Sequence, residues 1–241
     1  MRARGTGATA RLAALALAIG LTPFVGAGAA PLAARQEAGS APVEIGAGPV
    51  REQAFALVGR SVYGDESARV FGYLTGIIGL DPTLVFTDAL PTVQTARFTY
   101  AGDIPLTSRS SRGDVTEIAG AGTFTIFYDE DAGADWDDPG SFVDGEPVAE
   151  LSLDLRDTLQ RQAPAVGVMV GDARYRQESA GELVVAGERY RFGQTGIEGR
   201  LRTVGALIGS ADEPGLIVGL TGSGSVVARE TIPVIPGETG A

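Results

Sequence analysis

The sequence predicts an all-β protein built as one antiparallel β-barrel, with a β-sandwich as the alternative fold. Three observations carry this expectation. Short β-branched and aromatic runs alternate apolar with polar residues. Glycine makes up 35 of 241 residues, about twice the usual frequency, and punctuates those runs. No stretch holds a helical period beyond about two turns.

Ala54 to Tyr63 (AFALVGRSVY) reads as the first strand, and Gly64-Asp65-Glu66 as the turn after it. Ala68 to Leu80 reads as the second. Asp81-Pro82 turns the chain, and Leu84 to Thr87 is short and extended. Thr95 to Ile104 puts Phe98 and Tyr100 on one face and Arg97 and Thr99 on the other. Gly122 to Tyr128 aligns Phe124, Ile126 and Tyr128. Glu150 to Arg156 aligns Leu151, Leu153 and Leu155 against Ser152 and Asp154. Asp157 to Gln162 is the best short helix candidate, or an extension of that strand. Val166 to Arg176, Glu182 to Ala186, Arg189 to Phe192, Gly199 to Ile208 and Leu216 to Ala228 complete about ten or eleven strands. Strands with one apolar face each close as a sandwich or a barrel. Gly72, Gly76, Gly79, Gly205, Gly209, Gly219, Gly222 and Gly224 would relieve crowding where strands bend around a closed sheet. The same glycines would serve the bulges of a sandwich.

Both ends are expected to lie outside the barrel. Arg2, Arg4 and Arg11, the apolar run Leu12 to Val25 and the small-x-small site Ala27-Gly28-Ala29 form a secretory signal peptide over residues 1–29. The apolar run is broken by Gly20 and Pro23, which argues against a membrane anchor, and no later segment offers a span. The expected destination is therefore secreted or extracytoplasmic. Cleavage leaves 212 of the 241 residues and, with three arginines gone from a net charge of −11, a charge of −14. Residues 30–50 read as a flexible linker, 51–230 as a single domain and 231–241 as a loose tail.

Composition excludes much chemistry. All 19 basic residues are arginine, and there is no lysine, histidine or cysteine. A Ser-His-Asp triad, a cysteine nucleophile, a lysine Schiff base and His- or Cys-ligated metals are ruled out. An isoelectric point near 4.5 argues against nucleic acid as a partner. The Gly222 to Ser225 run lacks the lysine and the following helix of a phosphate loop.

Two constellations remain as candidate sites. Gly113 to Asp154 holds twelve acids and no basic residue, six of the acids between Asp129 and Asp138. Asp129, Asp131, Asp135, Asp137 and Asp138, with Gly133 as the turn, offer hard oxygen ligands at the spacing a Ca²⁺ loop uses. The plainer alternative is a solvated acidic loop. The second constellation is Arg174 and Arg176 around Tyr175, and Arg189 and Arg191 beside Tyr190. If these strands are neighbours, the four arginines share a face and suit an anionic ligand. Otherwise they lie outside, balanced by Glu178, Glu182 and Glu188, while Tyr175, Tyr190 and Phe192 fill the core.

The expected function is a non-enzymatic binding module for a small ligand. Phe71, Tyr73, Phe98, Tyr100, Phe124 and Phe192 are its candidate wall, and the feature to look for is a cavity of roughly several hundred cubic ångströms. A Ca²⁺-stabilised structural or surface-interaction domain is one alternative. A barrel enzyme using Tyr, Arg, Asp and Glu is the other, with no catalytic residue singled out. Paired carboxylates for glycoside hydrolysis are not set in contrasting environments.

Overall fold

A computed structural model describes residues 41–208 and 216–229. Residues 1–29, expected to be a signal peptide, most of the expected linker, Gly209 and the C-terminal tail lie outside the described residues. The strands are β1 (Val43–Ile45), β2 (Gln53–Tyr63), β3 (Ser67–Ile77), β4 (Phe98–Arg112), β5 (Val115–Tyr128) and β6 (Glu146–Ala163). They continue as β7 (Val166–Ala180), β8 (Glu182–Val185), β9 (Glu188–Phe192), β10 (Glu198–Leu207) and β11 (Leu216–Ala228). Eight of them form a closed barrel in the order β10-β11-β2-β3-β4-β5-β6-β7, with β7 returning to β10. Every pairing in the barrel is antiparallel. The barrel holds and the sandwich does not.

The short connections 64–66, 113–114 and 164–165 gather at one end. The long connections 78–97, 129–145 and 181–197 gather at the other. There β8 and β9 pair antiparallel, β1 adds to β9 in parallel, and a three-stranded sheet results. Its Ile45 and Phe192 are buried, with the Phe192 ring 6.4 Å from that of Phe55 inside the barrel. Val43–Ile45 was expected in the linker. Three residues are too few to show a period, and their partners, Tyr190 to Phe192, lie far along the chain. Arg229 fastens the segment, pairing with Glu44 at 3.0 Å and donating to the Ala47 carbonyl at 2.6 Å.

The alternation seen in the sequence sets the lumen. Phe55, Leu57, Ser61 and Tyr63 of β2 point inward, as do Leu151, Leu153, Asp157 and Leu159 of β6. Residues 157–162 continue β6 and form no helix. Glycines on the inner face make room for rings that cross the barrel. The Tyr100 hydroxyl lies over Gly59 and Gly72, and the Phe55 ring over Gly224, each where a Cβ would otherwise stand. Gly79 serves differently, turning the chain after β3 at φ 81°.

The acidic connection 129–145 forms an ordered strap on the outside of the barrel. Phe142 is fully buried, with its ring 5.2 Å from Phe71 and 5.2 Å from Trp136. Trp136 also lies 6.0 Å from Tyr73, and the Arg60 guanidinium sits 4.7 Å above its ring. Thr99 donates to the Phe142 carbonyl at 2.8 Å. Phe71 and Tyr73 therefore face outward into this second small core, and they are not lumen walls as the sequence suggested. A chain segment from outside the strand pattern covers them, so their exposure could not be read from β3 itself.

Trp136→Ala is expected to lower stability by about 2 kcal/mol, less than a fully buried aromatic because the indole is half-buried and its site can collapse. Urea unfolding gives the loss, and limited proteolysis within 129–145 shows whether the strap has loosened. Wild-type stability in this variant would mean that the strap rests on the barrel without supporting it.

Exposed ion pairs such as Arg69 with Asp103 (3.6 Å) and Arg200 with Asp172 (3.0 Å) lie on the outward faces and contribute little each. Among the described residues no helix is long and apolar enough to cross a membrane.

Candidate functional site

The lumen holds a cavity of about 40 Å³. Each of the eight barrel strands contributes to its wall, which includes Leu57 and Tyr63 of β2, Val70 of β3, Tyr100 of β4, Phe124 of β5, Leu155 and Asp157 of β6, Met169 of β7, Leu201 and Thr203 of β10, and Val218 and Leu220 of β11. The space is far below the several hundred cubic ångströms typical of a drug-sized pocket. Of the expected wall residues, Tyr100 and Phe124 line the cavity. Phe98 packs against Tyr128 at 5.0 Å, and Phe192 belongs to the sheet at the long-loop end.

The lining is mostly apolar, and its one ionisable carboxyl pairs with a phenol. Asp157 is 4% exposed and Tyr63 2%. The Tyr63 hydroxyl donates to Asp157 Oδ2 and lies 3.2 Å from Met169 Sδ. Gly171, across on β7, leaves the space that Asp157 Oδ1 and Thr203 Oγ1 occupy. Among the described residues no basic side chain lines the cavity. Burial disfavours the charged carboxylate and pushes the Asp157 pKa up to about 6, against the smaller opposing effect of the Tyr63 hydrogen bond. Burial, then the nearby charge of Asp157, pushes the Tyr63 phenol well above its ordinary value. The Tyr100 hydroxyl is also buried and has no hydrogen-bond partner among the described residues. The lumen thus offers an ionisable oxygen, a phenol committed to it and a free phenolic donor, enclosed by aliphatic groups. In chemical terms, such an arrangement suits a hydrogen-bonding or cationic group.

Sequence reading missed Asp157 and Tyr63 as a site. The signal was parity: Leu151, Leu153 and Leu155 point inward, and Asp157 is the next residue of that row.

The candidate Ca²⁺ ligands are spread along the strap. Asp129 Oδ1 accepts from the Asp131 amide, Asp135 Oδ1 from the Asp137 amide and Asp138 Oδ1 from the Gly140 amide, each at 3.0 Å. These carboxylates cap tight turns. Among the described residues no three His, Cys, Asp or Glu side chains are grouped to hold a metal.

The four arginines are not brought together. Arg174 and Arg176 lie on the outer face of β7, which pairs with β6 and β10, whereas β9 pairs with β1 and β8. Arg176 meets Glu198 at 3.5 Å and Arg189 meets Glu182 at 2.6 Å. Arg191 sits on β9 with its Nε buried. Tyr175, Tyr190 and Phe192 are all buried. Arg174, Arg176 and Arg200 do line an outer groove of about 600 Å³, where Asp154 and Glu198 offset part of their charge.

Comparison with protein-family models, with curated proteins and with solved structures finds no match.

Proposed function

We propose that the barrel is a binding module for a small, largely apolar molecule whose single cationic or hydrogen-bond-donating group rests against Asp157. The supporting observation is the buried Asp157–Tyr63 pair beside a cavity in a largely apolar lumen. Folding alone gives no reason for it, since a buried carboxyl costs stability that an apolar residue of equal volume would not. The cavity measures about 40 Å³, and one water needs about 10–15 Å³ on the same scale. The ligand is therefore only a few heavy atoms in size unless Leu155, Leu220 and Met169 swing aside.

Met169 makes the test direct. The chain has two methionines, Met1 and Met169, so methyl-labelled methionine reports on the lumen. Titration with isobutylamine and isobutanol is expected to shift the Met169 methyl resonance saturably and to raise the melting temperature. Asp157→Asn is expected to weaken the amine more than the alcohol. A Met169 resonance that neither probe moves would overturn the proposal.

A second reading rests on the carboxyl raised to about 6, close to the range in which a general base works at neutral pH. In that reading Asp157 takes a proton from a bound carbon or heteroatom acid and Tyr63 steadies the carboxyl. Saturable proton exchange from a lumen-bound probe, lost in Asp157→Asn, would distinguish turnover from binding.

A further inference from the structure

Asp157 of β6, Gly171 of β7 and Thr203 of β10 stand in one row across three neighbouring strands. Asp157 and Thr203 line the lumen cavity. Gly171 lies mid-strand and is not among the positive-φ glycines, so its lack of a side chain is a matter of room and not of backbone conformation. A Cβ on it would stand 2.4 Å from Asp157 Oδ1 and 2.3 Å from Thr203 Oγ1. Both oxygens therefore lean over the glycine from its two flanking strands. They lie within about 4.7 Å of each other, the separation of two acceptors that share one tetrahedral donor about 2.9 Å from each.

Tyr63 donates to Oδ2 of Asp157 and leaves Oδ1 without a hydrogen-bond partner among the described residues. The Thr203 hydroxyl has none among them either. Asp157 is 4% exposed, and an unmet buried acceptor costs free energy until a donor arrives. The carboxylate also lacks a counter-charge, since among the described residues no basic side chain lines the cavity, and a buried charge without a partner is costly. A water would bridge the two oxygens and leave the charge unbalanced. A tertiary ammonium would balance the charge but has a single N–H to give. A primary ammonium does both.

Taking the lumen as the binding site, on which this step rests, we propose that the occupant is a short primary alkylamine whose ammonium bridges Asp157 Oδ1 and Thr203 Oγ1 over Gly171. Its alkyl group meets the aliphatic wall, which includes Leu155, Met169, Leu201 and Val218. Asp157 then selects amines from alcohols, and Thr203 selects primary amines from tertiary ones. Gly171 keeps the two oxygens close enough to share one nitrogen.

Isopropylamine and trimethylamine are isomers that carry the same charge near neutral pH and differ in their number of N–H groups. Titration of the full chain at about pH 8, read from the Met169 methyl resonance, compares them with isopropanol. Isopropylamine is expected to shift the resonance saturably and to bind at least about tenfold more tightly than trimethylamine or isopropanol. Thr203→Val keeps the shape of the side chain and removes its hydroxyl. It is expected to weaken isopropylamine about tenfold and to leave trimethylamine unchanged. Thr203→Ser, which keeps the hydroxyl, is expected to retain most of the preference for the primary amine. Equal affinity for the two amines, equal losses for both in Thr203→Val, or isopropanol bound as tightly as isopropylamine would overturn the ammonium bridge and leave the lumen as a binding site. A Met169 resonance that none of the three moves would overturn the lumen reading together with the bridge.

Discussion

Gly59→Ala is expected to destabilise the barrel by about 3 kcal/mol, the upper part of the range for overpacking a core. A Cβ at this position would overlap the Tyr100 hydroxyl and stand 2.5 Å from the Phe71 carbonyl oxygen. The first contact belongs to a ring that is 1% exposed and cannot swing away. The second belongs to the backbone of the neighbouring strand, which moves only if the β2–β3 pairing moves. Gly76 is the control: a Cβ there meets nothing within 4 Å. Gly76→Ala is expected to be neutral or to stabilise slightly by restricting the unfolded chain. Adding Tyr100→Phe to Gly59→Ala is expected to recover only part of the loss, because the carbonyl remains. Urea midpoints of the four proteins measure this. Equal effects at Gly59 and Gly76 would mean that the rings do not depend on inner-face glycines.

The same glycines show how the sequence reports this fold. Rings and glycines share the inner face, so each strand kept an apolar parity legible without coordinates. Leu151, Leu153 and Leu155 are the clearest case. Closure was harder to read, because it depends on β7 meeting β10 across the whole of 181–197, and parity within a strand carries no such information. Strand ends were missed for a physical reason. Beyond Leu106 in β4 and before Thr116 in β5 the hairpin is exposed on both faces. With neither face buried there is no reason to alternate. The sequence Thr107 to Asp114 (TSRSSRGD) accordingly reads as a loop, yet its backbone pairs through to Arg112 and Val115.

Site residues left a trace in the sequence only where they broke a local rule. Asp157 broke the apolar parity of β6, a single conflict between position and polarity, and such conflicts are where function concentrates. Tyr63 gave no signal, since tyrosine on an inward face passes for core. The acidic segment was visible as charge, but its folding onto Phe71 and Tyr73 is set by Trp136 and Phe142, whose partners lie on another strand. Asp129 and Glu130 line one cleft at the long-loop end with Glu182, although they are more than fifty positions apart in the chain. The β5–β6–β7 pairing brings them near, with Tyr128 opposite Glu146 and Ala149 opposite Ala180.

Stability is expected to fall as pH rises from about 4 to about 6, and Asp157 is the cause. Its carboxyl has a pKa of about 6 when folded against the ordinary 3.8. Between those values the folded protein holds a proton that the unfolded chain has released, so raising the pH favours unfolding. Above about 6 the full penalty is present, roughly 3 kcal/mol at about 1.4 kcal/mol per pKa unit. Asp157→Asn keeps an acceptor for the Tyr63 hydroxyl and cannot ionise. It is expected to flatten the profile between pH 4 and 6 and to exceed wild type at pH 7.5 by about 1–3 kcal/mol, while matching it at pH 4. Tyr63→Phe is expected to act in the opposite direction. It removes the one donor that eases the buried charge and should cost about 2 kcal/mol at neutral pH and less at pH 4. Urea unfolding of the three proteins across pH 4–8 measures all of this. A wild-type profile that is level through the window would place Asp157 in contact with water and remove the reason for assigning it a ligand. A falling profile that the asparagine variant levels would mean that the barrel carries a destabilising carboxyl in its centre. That is the expected trade when a residue is kept for binding and not for folding.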